Sequence, residues 1–207
     1  MTDIALPYFF ARPAGEAPWP GVVVIQEANG VTAQLLRFCQ RLAGEGYAVL
    51  APDLYYRHGG TESSDYMTLV QSVDDDELRA DLTASVAQLR ALGAGRVGIM
   101  GFCMGGTYSY RAALWDIGVD CAVPFYGSGI SDMLGSPSCP VLVFYGGRDV
   151  WIPMEAIEKV QAHHGDDVVL YPDAGHGFMR DLSEDYHDES ANDAWPRLLA
   201  FFADHLS

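Results

Sequence analysis

Positive charge is scarce in this chain. Lys and Arg total 12 against 28 Asp and Glu, a formal net charge of −16. Such a surface repels phosphate backbones and anionic headgroups, so no nucleic-acid or membrane partner is expected. Any anionic ligand must be gathered by a few well-placed arginines. Cysteine is sparse too: Cys39, Cys103, Cys121 and Cys139 are the four thiols, with no C-x-x-C pair. That pattern excludes a disulfide-held miniprotein. No apolar run approaches the ~20 residues that span a bilayer. The first 13 residues lack a basic stretch followed by a long apolar one, so no signal peptide is expected. The expected location is cytoplasmic, with the thiols reduced. Internal repeats and low-complexity linkers are absent as well.

What is present is apolar. The 207 residues are 49% hydrophobic and 12% aromatic, enough to bury a sizeable core. Short β-branched runs alternate with helical periods. Residues 22–25 are a wholly apolar run suited to a strand buried on both faces. Further strands are expected at 47–51, 96–100, 120–126, 141–145 and 168–171, with a Pro7-limited edge strand at 4–11. Helices are expected at about 33–43, 74–92, 104–115, 154–163 and 188–205, and a polar segment at 58–65. The acid run 74–77 reads as a helix start that favours the macrodipole. This alternation predicts one α/β domain over residues 1–207, with a mostly parallel central sheet and helices on both faces.

In open α/β sheets ligands sit beyond the carboxyl ends of the strands. Gly101-Phe102-Cys103-Met104-Gly105-Gly106 follows the strand ending at Met100. It has the form of a nucleophile elbow with Cys in the reactive position, at a helix N-terminus where the dipole favours thiolate. Alone, the segment reads more readily as a small buried Cys in a glycine-rich turn. Its partners decide. Asp149 follows the run 141–145 and His176 follows the run 168–171, giving the order nucleophile, acid, histidine. His176 is then the acid–base group and Asp149 its orienting carboxylate.

These segments, with Gln26-Glu27-Ala28-Asn29-Gly30, Pro52-Asp53-Leu54-Tyr55, Gly146-Gly147-Arg148-Asp149 and Ala174-Gly175-His176-Gly177-Phe178, resemble the dienelactone hydrolase (carboxymethylenebutenolidase) family. That family is a branch of the α/β-hydrolases with Cys in place of Ser. The resemblance runs from about Gly21 onward. It implies that Glu27 gates Cys103 and takes the thiol proton when substrate binds. It implies an oxyanion hole from the backbone N–H groups of Met104 and Ala28, and a substrate-carboxylate contact at Arg180. It also implies a small ester or lactone substrate from (chloro)aromatic catabolism, and no cofactor or metal. Two departures bear on the substrate. Residues 58–78 hold no Lys or Arg where the family's type member has a second carboxylate-binding arginine, and Asn29 stands where an aromatic is usual.

Other readings stay open at this level: a general carboxylesterase, a non-catalytic hydrolase-fold binding protein, or a redox role for Cys103. From the residues alone, Glu27 is also a candidate helix cap or arginine partner, and Arg180 a surface partner of Asp181 or Glu184. Tyr126, Trp151 and Phe178, with Tyr55 and Tyr56, lie near strand ends and are candidate pocket walls. Cys39 and Cys121 read as core, Cys139 as a loop thiol, and His163-His164 as cations at a helix C-terminus. Asp181, Glu184, Asp185, His187 and Asp188 match no metal-ligand spacing. A monomer or small homo-oligomer is expected.

Overall fold

The computed structural model describes residues 6–60 and 66–207. The elements in chain order are β1 (Tyr8–Ala11), β2 (Trp19–Ile25), α1 (Ala33–Gly44), β3 (Ala48–Pro52), α2 (Tyr66–Ser72), α3 (Asp75–Ala91) and β4 (Ala94–Phe102). They continue with α4 (Met104–Leu114), β5 (Cys121–Phe125), β6 (Val143–Gly146), α5 (Met154–His164), β7 (Val168–Tyr171) and α6 (Asp188–Leu206). The strands form a seven-stranded sheet in the order β1-β3-β2-β4-β5-β6-β7. Only β1 runs antiparallel, pairing with β3 at the edge; the other pairings are parallel.

The apolar runs of the sequence become the centre of this sheet. Val22, Val23, Val24 and Ile25 have no exposed surface, as a strand covered on both faces requires. The chain steps from β2 outward to β3, then back across β2 to β4. Right-handed crossovers therefore put α1 on one face and α3, α4 and α5 on the other. The side-chain contacts agree: α1 meets α6 through Phe38 and Trp195, while Arg79 of α3 donates to the Trp115 carbonyl at the end of α4. Tyr110 of α4 meets His164 of α5. The reversal falls between β2 and β4, the position at which open α/β sheets place their ligands, beyond the strands' carboxyl ends.

Helix starts are capped as their sequences suggest. The Thr32 hydroxyl accepts from Leu35 N in α1. The Asp74 carboxylate accepts from Asp76 N and Glu77 N, and Asp75–Glu77 fill the first turn of α3. Several expectations need correction. The edge strand spans Tyr8–Ala11 only; Pro7 lies just before it, with its carbonyl accepting from Asp53 N, and residues 4 and 5 lie outside the described residues. The strand expected from 141 begins at Val143, because Val141 makes a lone bridge to Ala122. The short helix α2 was not expected, and of the polar segment 58–65 only 58–60 fall among the described residues. His164 is disfavoured as a helix-end cation. Burial, then the neighbouring His163, holds its ring below the usual imidazole value, and its Nε2 lies 2.8 Å from the Tyr110 hydroxyl.

Candidate active site

Cys103 sits between the last residue of β4 and the first of α4, with φ 54° and ψ −116°. A non-glycine residue there is strained, and such conformations persist only where the surroundings dictate them. Here they do. Cys103 N donates to the Phe125 carbonyl of the adjacent strand. A Cβ on Gly105 would lie 2.5 Å from the carbonyl oxygens of both Ile25 and Gln26, and one on Gly101 would lie 2.3 Å from the Gly105 carbonyl. The glycines thus let α4 press against the end of β2, so that Cys103 is thrown forward at the sheet edge.

The acid and the histidine come from neighbouring loops hooked together by backbone bonds. Gly147 N donates to the Tyr171 carbonyl at 2.7 Å and Arg148 N to the Ala174 carbonyl at 2.8 Å. The Asp149 side chain is fully buried. Its Oδ1 accepts from Trp151 N and Ile152 N at 2.8 and 3.2 Å, and its Oδ2 accepts from His176 Nδ1 at 2.7 Å. Nδ1 must therefore carry a proton, which leaves Nε2 for other work. The Cys103 side chain also acts electrostatically on the His176 ring. Burial works against charge on this ring. The Asp149 hydrogen bond and the Cys103 contact outweigh it and raise His176 to about 9. The ring consequently holds both protons at neutral pH.

Glu27 lies immediately beyond β2, buried to 5% exposure, in the turn closed by Gly30 N donating to the Glu27 carbonyl. Its Oε2 accepts from Arg180 Nε at 3.0 Å; its Oε1 is buried with no hydrogen-bond partner. Of the alternatives left open by the sequence, the arginine partner is the one observed, and Thr32 caps α1 instead. Arg180 pairs with neither Asp181 nor Glu184. Its Nη1 donates to Asp185 at 2.6 Å, while Asp181 takes the guanidinium of Arg37. Tyr126, whose φ is +39°, lies among these groups. Its ring centroid is 5.0 Å from that of His176. Burial first, then Glu27 against an opposing Arg180, pushes its hydroxyl well above the usual phenol value.

The remaining expected residues separate. The Met104 N–H is the first of α4 and has no turn before it to bond with; Ala28 N–H lies in the turn after Glu27. Trp151 is 73% exposed, fixed through its backbone to Asp149. Phe178 and Tyr126 are corrections: with 0% and 1% exposure they pack against each other and against Phe125, and Phe178 also against Tyr171, as buried side chains and not as open walls facing a ligand. Asp185 was missed as an Arg180 partner, since nothing local in the sequence separates it from other loop acids. The other thiols lie elsewhere. Cys39 and Cys121 are buried, and burial pushes Cys39 up to about 12, Cys139 to about 11 and Cys121 higher still. Among the described residues no group of three or more His, Cys, Asp or Glu could hold a metal ion, and no helix is long and apolar enough to cross a membrane.

A parallel sheet whose order reverses between β2 and β4, with a tight strand-to-helix turn at its centre, defines an α/β-hydrolase. Within that class the chain belongs to the dienelactone hydrolase family, whose profile matches residues 6–206. A Salmonella typhimurium protein named "Putative carboxymethylenebutenolidase" is 38% identical, over 97% of this chain and 83% of its own. A solved structure named "Putative Dienelactone Hydrolase", from Klebsiella pneumoniae, is 34% identical with a TM-score of 0.86, covering 96% of this chain and 92% of that one. A dienelactone hydrolase-like promiscuous phosphotriesterase from metagenomic libraries shares the fold at 24% identity and a TM-score of 0.85, over 97% and 92% of the two chains.

Proposed function

We propose that this chain is a cofactor-free cysteine hydrolase of small esters and lactones, built on one α/β-hydrolase domain and working in the cytoplasm. One observation carries the reading: His176, whose Nδ1 is held by Asp149 at 2.7 Å, lies within electrostatic reach of Cys103 at the strand-to-helix turn. The Cys103 sulfur adds to the acyl carbon, a C–S bond forms, and the carbonyl electron pair moves to oxygen, where the amides of Met104 and Ala28 receive it. The C–O bond to the leaving alkoxide then breaks, and the alkoxide takes the proton from His176 Nε2. Neutral His176 next draws a proton from water, whose oxygen attacks the thioester. The C–S bond breaks, the acid leaves, and sulfur and imidazolium are restored. Asp149 keeps the ring in one tautomer throughout.

Glu27 controls the thiol. Paired with Arg180 its charge is compensated; a substrate carboxylate that takes Arg180 frees it to accept the thiol proton. The 3.0 Å Glu27–Arg180 contact and the partnerless Oε1 support that exchange. The substrate of this reading is a small unsaturated lactone bearing a carboxylate, opened to the dicarboxylate in (chloro)aromatic catabolism. A second reading, a general esterase for neutral substrates, is favoured by a specific observation. Arg180 already faces two carboxylates, and residues 58–78 supply no other cation.

The test is hydrolysis of a carboxylated dienelactone and of p-nitrophenyl acetate by wild type and Cys103→Ala. Fast lactone turnover that disappears in Cys103→Ala is expected. Turnover of the neutral ester alone selects the second reading. Full activity in Cys103→Ala overturns both.

A further inference from the structure

The two amides assigned to the oxyanion hole differ in how firmly the backbone holds them. That of Met104 is set by α4. That of Ala28 lies in a two-residue turn closed by an isolated bridge between Glu27 and Gly30, with Gly30 N donating to the Glu27 carbonyl at 2.9 Å. One side chain touches both residues. The Tyr55 hydroxyl donates to the Ala28 carbonyl at 2.8 Å, and the Met104 thioether sulfur lies 3.3 Å from the same oxygen. Tyr55 itself has no exposed surface, and its backbone is clamped from two sides. Tyr55 N donates to Asp53 Oδ1 at 2.9 Å. The preceding Leu54 N donates to Gln26 Oε1 at 3.1 Å, which ties this segment to the residue just past β2. Burial, followed by the nearby Tyr108, keeps the phenol protonated well beyond its usual range, so it remains a donor at working pH.

We infer that Tyr55 is a positioning residue of the oxyanion hole, fixing the Ala28 turn against the start of α4. The inference rests on the oxyanion assignment above. A loose turn would leave the Ala28 N–H off the position the oxyanion occupies, and donors act only when already aimed there. The hydroxyl therefore contributes where charge develops on oxygen and little to ground-state binding.

The test is Tyr55→Phe, which removes one oxygen and keeps the ring. With p-nitrophenyl acetate kcat is expected to fall by about tenfold, with KM within about twofold, since full loss of one oxyanion donor costs 10²–10³. Inhibition by a small trifluoromethyl ketone, whose adduct oxygen would use the same amides, is expected to weaken by the same factor as kcat/KM. A hydroxyl that merely satisfies a buried carbonyl would lower the melting temperature and leave both ratios unchanged. Ala28→Pro separates the two levels, because it deletes the N–H at a turn position that accepts proline. If Cys103→Ala is inactive but Ala28→Pro is fully active, the oxyanion assignment falls, and this inference with it. If both are inactive and Tyr55→Phe keeps kcat within about twofold, the Tyr55 role alone is overturned. In the Ala28→Pro background, Tyr55→Phe is expected to add no further loss; an independent tenfold loss there would also overturn it.

Discussion

The sulfur end of the site and its arginine end are held by different forces. Cys103, Asp149 and His176 stand on strand ends, on loops joined by backbone hydrogen bonds and on glycines pressed to their neighbours' carbonyls. Arg180 stands on an acidic loop fastened by ion pairs, Arg180 to Glu27 and Asp185, and Asp181 to Arg37. The first arrangement leaves no room for an added atom at its glycines, and its His176–Asp149 pair is largely buried and little screened by salt. The second is a set of partly exposed charges that ions and anionic ligands can exchange. On the proposed function, rigid geometry serves the chemistry and exchangeable contacts serve recognition.

That contrast can be broken from either end. Asp149→Asn should have the largest effect, lowering kcat by about 10³–10⁴ with little change in KM, because the imidazole loses its fixed tautomer. Steady-state kinetics on p-nitrophenyl acetate checks it. Gly105→Ala should come next, destabilising the fold by roughly 1–3 kcal/mol through overpacking against Ile25 and Gln26, as read from urea unfolding. The His176 linkage follows. Its folded value, about 9, lies above the unfolded 6.5. Its stabilisation is therefore complete below about pH 6.5 and lost as pH rises through about 9. Melting curves should show that fall in wild type and a flatter profile in Asp149→Asn.

At the arginine end the effects should be smaller and should concern selectivity. Asp185→Asn removes one competitor for Arg180. It should raise the ratio of kcat/KM for a carboxylated lactone over a neutral ester by about two- to fivefold, the scale of a partly exposed ion pair. Added salt should shrink that gain. Arg37→Ala, at an exposed pair, should leave the melting temperature unchanged.

The two ends also differed in how readable they were. Asp149 and His176 each follow a short β-branched run, and a parallel sheet brings the ends of such runs together, so their 2.7 Å contact was legible from order alone. So was β2, since only a doubly covered strand is apolar at every position. The Glu27–Arg180 pair joins residues 153 positions apart, and no periodicity reports which of several loop acids an arginine will choose. Helix α2 escaped because it is seven residues long and buries only Leu69, too little for an apolar period to register. Phe178 was misread because an aromatic beyond a strand end looks the same whether it faces a cleft or fills the space behind it. The pairing of His164 with Tyr110 depends on how α5 lies across α4, which neither helix encodes by itself.

The three remaining cysteines give the molecule a chemical asymmetry. Cys39 and Cys121 are shut in the core, and Cys139 stays protonated up to about 11. Alkylating reagents need a thiolate that they can reach. At neutral pH a maleimide dye should therefore spare these three positions in the folded chain, and unfolding should open them to it. Dye uptake at these three positions would then report the unfolded fraction of a preparation directly.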